Sequence, residues 1–435
     1  MNHGKISLFG NFGTHNLGNE CTLQAVIHNV RKHLPDVPTD CICSDPEDVS
    51  ARYNIPAIPI YSRHRNASRS RAEAPYTNAL VRLVRRVFIR VPQELLHWIT
   101  AFRTLKGTKM LIMTGTGMLT DFGITPLDLH YEILKWSLAA KLRRCKVVFL
   151  SVGGSRLDHP LSRWLVKFAL SLADYRSYRD RFSRDCLDGI GANTSADPVY
   201  PDLAFSFPRT GLPGSPKRNR TGRVVGVGLM DYYGKESRRE TGEHVYRAYL
   251  ETMARFTGWL LNQQYTVRLL IGDVSYDKRA KHDLREVLDR DRVTYDDRQL
   301  IDEPVFSVEQ LLAQLATTDV VVATRFHNVL LALLLNKPVV SIAYDPKIDA
   351  LMAEAGLAAY CQPIDDVDLQ KLIGKFSRLE ANSETVKADL RRQVEQHRRV
   401  LDEQYAIIFK MCGMSGVATA QRVSQSHTQP SIPKW

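Results

Sequence analysis

A cation and an imidazole directly follow a hydrophobic run near residue 320. Residues 319–323 read Asp-Val-Val-Val-Ala, and Thr324, Arg325, Phe326 and His327 come before a leucine-rich run. This pattern is typical of a buried strand that ends where a helix begins. Free N–H groups at a helix start bind anions, a guanidinium fits phosphate or carboxylate, and an imidazole transfers protons near neutral pH. The sequence predicts an anion site beside a proton donor, or else an Arg325 that pairs with an acid and a His327 that caps the helix.

The next hydrophobic run ends in a similar way. Ser341-Ile-Ala is followed by Tyr344, Asp345, Pro346 and Lys347. Parallel strands place their carboxyl ends at one edge of the sheet, so Lys347 and Asp345 are expected to face the same cleft as His327. An Asp-Pro pair is also a common turn, which is the alternative interpretation.

Glycine loops follow two hydrophobic runs in the first half of the chain. The first loop contains Gly13, Gly18, Asn19 and Glu20, and an amphipathic pattern begins after it, so we expect Asn19 to cap a helix there. Its glycines would let a ligand approach the backbone, and Glu20 would hold a sugar hydroxyl or act as a base. The loop has neither a Walker spacing nor a strict G-x-G-x-x-G pattern.

The second loop, with Gly115 and Gly117, runs to Asp121 after the strand that ends at Met113. Asp202 is a third candidate in this half of the chain, although carboxylates near linkers are often only solvated.

Strands and helices alternate along the whole chain, and this alternation predicts an α/β fold with two Rossmann-like domains and a cleft between them. In the second half the predicted strands are 223–229, 266–271, 319–323 and 338–342, and the predicted helices are 243–263, 278–290, 308–316 and 327–335. The predicted organisation is an N-terminal domain (1–207) with a basic helical insertion (63–107), a Pro- and Gly-rich linker (208–222), a C-terminal domain (223–380), a long helix (381–412) and a disordered tail (413–435).

Composition supports a globular protein that works inside the cell. Hydrophobic residues make up 44% and charged residues 24% of the 435 residues. The sequence shows no leader pattern, and its most apolar stretch, 320–343, is interrupted by charged and polar residues, so no membrane span is expected. Seven cysteines lack a disulfide or zinc spacing. We therefore expect a cytoplasmic protein without a metal site or a bound cofactor.

Much of the net charge of +12 comes from one segment. Eight arginines and one acid, Glu73, lie between Arg63 and Arg90. Within 79–90 the apolar residues share one helix face and the cations gather on the other, at Arg82, Arg85, Arg86 and Arg90. Such a helix suits peripheral contact with the anionic inner face of a membrane, an acidic glycan, or solvent. The segment lacks interleaved aromatic residues and a recognition motif, which argues against nucleic acid.

Several of these motifs together resemble the polysaccharide pyruvyl transferases. The resemblance covers residues 5–360 in order, and no single motif is strong by itself. Its motifs are Asn11 to Glu20, Gly115 to Asp121, Tyr178-Arg179-Asp180 to Ser183, Pro201-Asp202 to Phe205, and Thr324 to His327 running on to Lys347.

The resemblance implies a glycosyltransferase-B-like fold and phosphoenolpyruvate as co-substrate. Pyruvate would be placed as a ketal on a sugar of a surface polysaccharide or of its lipid-linked precursor, with the acceptor on the N-terminal domain and the donor on the C-terminal domain. By position, Arg325, the Phe326 backbone and His327 would bind phosphoenolpyruvate. His327 would be the acid, and Glu20 or Asp202 would deprotonate the acceptor.

One position departs from the family pattern. Many members have an arginine just after the first strand of the second domain, where this chain has Met230 and Asp231. Lys347, Arg268 or Arg298 are the candidates to replace that cation. Two alternatives therefore stay open: a glycosyltransferase of the same fold that uses a nucleotide sugar, and a non-catalytic member that binds a glycan.

Overall fold

The computed structural model describes residues 4–61, 91–214, 222–234, 239–411 and 413. It contains two parallel sheets of six strands, each packed with helices. Both sheets have the strand order 3-2-1-4-5-6 when counted within their own half of the chain. This order confirms the predicted α/β class with two Rossmann-like domains.

The N-terminal sheet has the order β3-β2-β1-β4-β5-β6. Its central strands are mostly apolar and buried because helices cover both faces of a parallel sheet, whereas the two edge strands are partly exposed. They are β1 (Lys5–Phe9), β2 (Thr39–Cys43), β3 (Ala57–Pro59), β4 (Thr108–Met113), β5 (Lys146–Val152) and β6 (Tyr175–Tyr178). The helices are α1 (Leu17–His33), α2 (Pro46–Tyr53), α3 (Val91–Thr104), α4 (Tyr131–Leu142), α5 (Pro160–Ser171) and α6 (Arg181–Gly189).

The C-terminal sheet repeats this arrangement in the order β12-β11-β10-β7-β8-β9. Its strands are β7 (Val224–Leu229), β8 (Thr266–Ile271), β9 (Leu300–Ile301), β10 (Val320–Ala323), β11 (Val339–Ala343) and β12 (Cys361–Pro363). The helices are α7 (Arg239–Asn262), α8 (Lys278–Arg290), α9 (Val308–Ala316), α10 (Phe326–Leu334), α11 (Pro346–Glu354), α12 (Leu369–Ala381) and the long α13 (Ser383–Met411).

One predicted helix boundary is wrong. Asn16, not Asn19, is the N-cap of α1: its backbone is extended, and its side chain accepts hydrogen bonds from the N–H groups of Gly18 and Asn19. Asn19 lies within the first turn, where its side chain donates to the carbonyl of Asn11 at 3.1 Å. The apolar periodicity did not distinguish the two asparagines because Leu17, the first residue of the helix, also fits the buried face.

Several predicted segments lie outside the described residues. They include positions 62–90 with Arg82, Arg85, Arg86 and Arg90, the linker positions 215–221, and the tail from 414 onward. The end of the predicted insertion is described and contains α3. Within the described ranges, none of the helices has the length and apolar character needed to cross a membrane.

The long helix α13 packs against both halves of the molecule. On the N-terminal side, Gln404 is buried and bonds two serines, accepting from Ser151 Oγ at 3.1 Å and donating to Ser177 Oγ at 2.7 Å. On the C-terminal side, its Leu390 and Val394 lie beside α10 and α11 around a small apolar cavity. The helix thus bridges the two domains behind the cleft.

At the cleft the two domains meet through backbone atoms. The Leu17 N–H donates to the Gly272 carbonyl at 3.1 Å, and the Val274 N–H donates to the His15 carbonyl at 3.2 Å. Next to these bonds the ring of His327 lies against Gly18, so closely that a Cβ at position 18 would be 1.8 Å from His327 Cγ. Only glycine permits this approach.

We expect Gln404→Ala to destabilise the protein by about 1–3 kcal/mol, because the buried Ser151 hydroxyl loses its acceptor and the buried Ser177 hydroxyl loses one of its donors. Urea unfolding of the variant and of Gln396→Ala, an exposed position on the same helix, measures the difference. Equal unfolding midpoints for the two variants would show that α13 is not held to the N-terminal domain by Gln404.

We expect Gly18→Ala to loosen the domain contact. Alanine normally stabilises a helix relative to glycine by about 1 kcal/mol, but here overpacking against His327 should destabilise by about 1–3 kcal/mol. Hydrogen exchange at the Leu17 amide should become at least about tenfold faster for each 1.4 kcal/mol lost locally. Gly374→Ala in α12, where an added Cβ meets nothing within 4 Å, is the control. Unchanged protection at Leu17 would contradict the expectation.

Candidate active site in the cleft between the domains

A buried ion pair organises the C-terminal side of the cleft. Asp277, which is fully buried, receives the Arg325 guanidinium in a bidentate contact, with Nη2 to Oδ1 at 2.6 Å and Nε to Oδ2 at 3.0 Å. The same carboxylate accepts backbone N–H groups from Asp231, Gly272 and Asp273 at 3.0–3.2 Å. It therefore ties together the carboxyl ends of β7, β8 and β10.

Burial tends to lower the pKa of Arg325, but the charge and hydrogen bonds of Asp277 outweigh it, so the pKa of Arg325 is raised above its ordinary value. Arg325 thus pairs with an acid, as the second interpretation of the sequence held. The pairing fixes the direction of the guanidinium. It does not bury the side chain completely, because 17% of the side-chain surface of Arg325 remains exposed.

The first turn of α10 has no side-chain cap. Arg325 is the N-cap residue, and its side chain makes no capping hydrogen bond. The neighbouring helices differ: Ser307 caps α9 and Asp345 caps α11 through their side chains. The expectation that His327 caps α10 is therefore wrong. The first N–H groups of α10 have no intrahelical acceptor and are positioned for an anion.

His327 is an imidazole without a charge partner. Burial lowers its pKa, and the charges of Arg179, Lys347 and Arg325 lower it further, to about 3. Its Nε2 is buried and has no hydrogen-bond partner among the described residues. At neutral pH the ring is uncharged in the free protein, and positive charge from both domains surrounds it.

Arg179 brings the N-terminal domain into the same cluster. It follows β6, lies buried over the Phe326 ring at 4.2 Å from guanidinium carbon to ring centroid, and donates to Asp202 Oδ2 at 3.2 Å. A Cβ at Gly153 would lie 2.6 Å from it, so this glycine is needed for the guanidinium to fit. Burial raises the pKa of Asp202, and Arg179 opposes that shift.

Lys347 is the third cation. Asp345 is the N-cap of α11 and accepts from the Lys347 N–H at 3.0 Å, so the Asp-Pro pair begins a helix and is not a separate turn. The Lys347 ammonium lies 3.5 Å from Asp345 and 5.0 Å from the Tyr344 ring centroid. Tyr344 in turn packs on Phe122 of the N-terminal domain, with centroids 6.0 Å apart.

Glu20 and Gly13 form a supporting contact in the first glycine loop. Glu20 accepts from the Gly13 N–H at 2.8 Å and from the Tyr53 hydroxyl at 2.7 Å, so both of its oxygens are engaged. Burial raises the pKa of Glu20, although these hydrogen bonds oppose the shift. Gly13 has a φ of 75°, which favours glycine.

The second glycine loop fits tightly against its neighbours. A Cβ at Gly115 would lie 2.7 Å from the Ser151 carbonyl oxygen, and one at Gly117 would lie 3.6 Å from Nη2 of Arg179. The loop therefore reaches the cation cluster on the N-terminal side of the cleft.

The position where the family pattern has an arginine, Met230, is buried in this structure. Met230 is buried, with 2% of its surface exposed. Arg268 is buried toward the start of β8, where it pairs with Glu303 at 2.5 Å. Arg298 is exposed and precedes β9, at the opposite end of the sheet from the cleft. Of the three candidates for the missing cation, Lys347 is the one that acts on His327.

Two residues of this cluster were not predicted from the sequence. Asp277 follows the end of β8 by six positions. Its place after the carboxyl end of a strand is the sequence feature that could have marked it as a site residue. Asn328 is buried, and neither polar atom of its side chain has a hydrogen-bond partner among the described residues. Its amide packs against Gly228 and Gly272, where an added Cβ would lie 3.0 Å from it.

One cluster of potential metal ligands occurs in the described ranges. His282, Asp283 and Glu286 on α8 each bring one ligand atom within 4.8 Å of the others. Asp283 already accepts from the Tyr246 hydroxyl and pairs with Arg279. No ligand atom of this cluster belongs to the cation cluster around His327.

Solved structures with the same fold are distant in sequence. UDP-GlcNAc 2-epimerase from Methanocaldococcus jannaschii is 12% identical, with a TM-score of 0.55 and coverage of 86% of this chain and 92% of its own. The lipopolysaccharide outer core galactosyltransferase WaaB is 14% identical, with a TM-score of 0.52 and coverage of 94% and 99%. MurG from Acinetobacter baumannii is 12% identical, with a TM-score of 0.51 and coverage of 93% and 99%. These likenesses show the glycosyltransferase-B fold alone.

Comparison with curated protein sequences gives no match. A family model, described as polysaccharide pyruvyl transferase, matches residues 16–346. This span contains the first glycine loop from Asn16 onward, Arg179, the uncapped start of α10 and the turn at Asp345. The chain is a member of the polysaccharide pyruvyl transferase family.

Proposed function

We propose that this protein transfers pyruvate from phosphoenolpyruvate to two hydroxyls of a saccharide, forming a ketal. The observation that carries the proposal is the uncharged His327 at the uncapped start of α10, with Arg179, Arg325 and Lys347 around it. A polyanion is the ligand that such a cluster favours, and a proton donor beside it is what an enol phosphate requires. Family membership supports the same reaction.

Phosphoenolpyruvate presents a phosphate and a carboxylate. We assign the phosphate to the N–H groups of Phe326 and His327 at the start of α10, where the helix dipole favours negative charge. Arg325 stays fixed by Asp277 while its exposed edge meets the anion. Lys347 is the cation best able to move, since its contact with Asp345 is 3.5 Å long.

The anion itself would prepare His327 as an acid. In the free protein the pKa of His327 is about 3 because of burial and three cations. A bound trianion cancels those cations and raises the pKa of the imidazole. His327 would then take up a proton and donate it to the methylene carbon of the substrate.

The proposed steps balance without another reactant. The methylene carbon gains a proton and becomes a methyl group, which leaves positive character at C2. One sugar hydroxyl adds to C2, phosphate leaves, and a second hydroxyl closes the ketal. Of the two hydroxyl protons, one replaces the proton that His327 gave, and the other leaves with phosphate. Arg325 and Lys347 stabilise the departing charge.

For the base, Asp202 and Glu20 are both buried carboxylates with raised pKa values caused mainly by burial. Asp202 touches Arg179, which covers Phe326. Glu20 instead holds Gly13 and Tyr53. We therefore prefer Asp202 as the residue that receives the hydroxyl proton and assign Glu20 to the shape of the first loop.

Calorimetry with phosphoenolpyruvate tests the donor. Arg325→Ala should abolish binding, but it also leaves Asp277 buried without its partner, which destabilises the fold. Lys347→Gln is the cleaner variant: a lost charge-assisted hydrogen bond should weaken binding about tenfold or more. Arg298→Ala, exposed and distant from the cleft, should bind as the wild type does.

The opposite result is equally informative. Wild-type protein that binds no phosphoenolpyruvate at millimolar concentration with a saccharide acceptor present, yet binds a nucleotide sugar in a Lys347-dependent manner, would replace the proposal by the glycosyltransferase alternative. A protein that binds neither donor would point to the glycan-binding alternative.

Binding should also take up protons. His327 has a pKa of about 3 in the free protein, and a nearby trianion raises it, so the complex holds more protons than the free protein. By linkage, affinity should rise as the pH falls through the pKa of the bound state toward about 3, the pKa in the free protein. Calorimetry in two buffers of different ionisation enthalpy counts the protons. His327→Gln should bind with fewer protons taken up, and equal uptake by both proteins would exclude His327 as the site of protonation.

A further inference from the structure

Two helices of the N-terminal domain expose apolar side chains in rows. On α3, Leu96 is 63% exposed, and on α5, Trp164 is 57% exposed. Trp164 packs against Phe168 one turn later, with the rings tilted and their centroids 5.6 Å apart. The full set of exposed apolar residues on these helices is Val91, Leu95, Leu96, Ile99, Phe102, Leu161, Trp164 and Phe168. We name it the α3/α5 surface.

The α3/α5 surface lies on one layer of the domain. Helix α4 packs against both α3 and α5. The inward side chains of the two outer helices, such as Ala101 and Leu165, join the core between this layer and the sheet. The exposed apolar residues therefore lie on the outer side of the layer and are not part of that core. Exposed apolar residues gathered on neighbouring helices mark a contact surface.

The charges near these residues are mainly positive. On α5 the charged residues are Arg163 and Lys167, and both are exposed. On α3, Arg103 is exposed, while the acid Glu94 is engaged by Lys135 and the Tyr131 hydroxyl at 2.8–2.9 Å. In sequence, the eight arginines between Arg63 and Arg90 lead directly into Val91.

We propose that the α3/α5 surface binds an anionic lipid bilayer. Tryptophan, phenylalanine and leucine enter the boundary between headgroups and acyl chains, while neighbouring Lys and Arg meet the negative headgroups. A second copy of this chain is a poorer occupant, because the cations of two such surfaces would repel each other. The proposal concerns binding alone and does not depend on the reaction proposed above.

Binding through the α3/α5 surface would also position the cleft relative to the bilayer. Helix α5 begins after the carboxyl end of β5, so Leu161 in its first turn places part of the α3/α5 surface at the cleft end of the domain. If the proposed function holds, this places the cleft beside the bilayer, where a lipid-linked acceptor would be presented.

Co-sedimentation with vesicles tests the proposal. The full-length protein should bind vesicles of equal parts phosphatidylglycerol and phosphatidylcholine, and bind phosphatidylcholine vesicles more weakly. The double variants Leu96→Ser/Ile99→Ser and Trp164→Ser/Phe168→Ser should each lose about tenfold or more in partitioning, given the apolar area withdrawn from the membrane. All four side chains are exposed, so the thermal unfolding midpoint should not change.

Ile407→Ser is the matched control, since Ile407 is an apolar helical residue with 49% exposure on α13. It should bind like the wild type. Failure of the wild type to bind either vesicle, or wild-type binding by both double variants, would overturn the proposal. So would a lipid-free self-association, measured by sedimentation velocity, that both double variants abolish, because a second copy would then be the occupant.

Discussion

The bidentate pair between Arg325 and Asp277 is the interaction on which the cleft depends. Asp277 is fully buried, and it bonds the backbone after β7 and β8 as well as the guanidinium at the start of α10. The loop that it shapes then accepts and donates backbone hydrogen bonds with residues 15–17 of the other domain. One carboxylate thus fixes three strand ends and, through them, the contact between domains. A buried pair of this kind contributes geometry more than stability, because desolvation offsets much of its attraction.

Electrostatics and glycine positions act together around that pair. Arg179, Arg325 and Lys347 come from different strand ends, and each of the two arginines is held by an acid of its own domain. Burial lowers the pKa of His327, and because the ring lies among these cations without an acid, the pKa falls to about 3. The close packing requires glycine at positions 18 and 153, where a Cβ would overlap His327 or Arg179. The imidazole of His327 is thus held among positive charges, an electrostatic environment that favours a polyanion.

The same backbone fold occurs in epimerases and glycosyltransferases at 12–14% identity, so the fold alone does not choose the chemistry. The distinction lies in side chains at the strand ends. Met230 fills the place where a second arginine was expected, and Lys347 supplies a positive charge from the neighbouring helix. The exposed apolar residues of α3 and α5 form a second surface, on the outer side of the helices that cover one face of the N-terminal sheet, and this surface is separate from the cation cluster.

The sequence by itself determined the class of fold. Hydrophobic runs that end in glycine or polar residues predicted strands such as β5 and β8 and helices such as α8 and α9, because burial on both faces of a parallel sheet leaves a local signature. It also placed Arg325, His327 and Lys347 at strand ends. Only the tertiary structure decided that Asp277 holds Arg325, that Asn16 rather than Asn19 caps α1, that Arg179 covers Phe326, and that Gly18 faces His327. These are contacts between residues far apart in the chain, and a sequence pattern records the burial of each residue but not the partner that buries it.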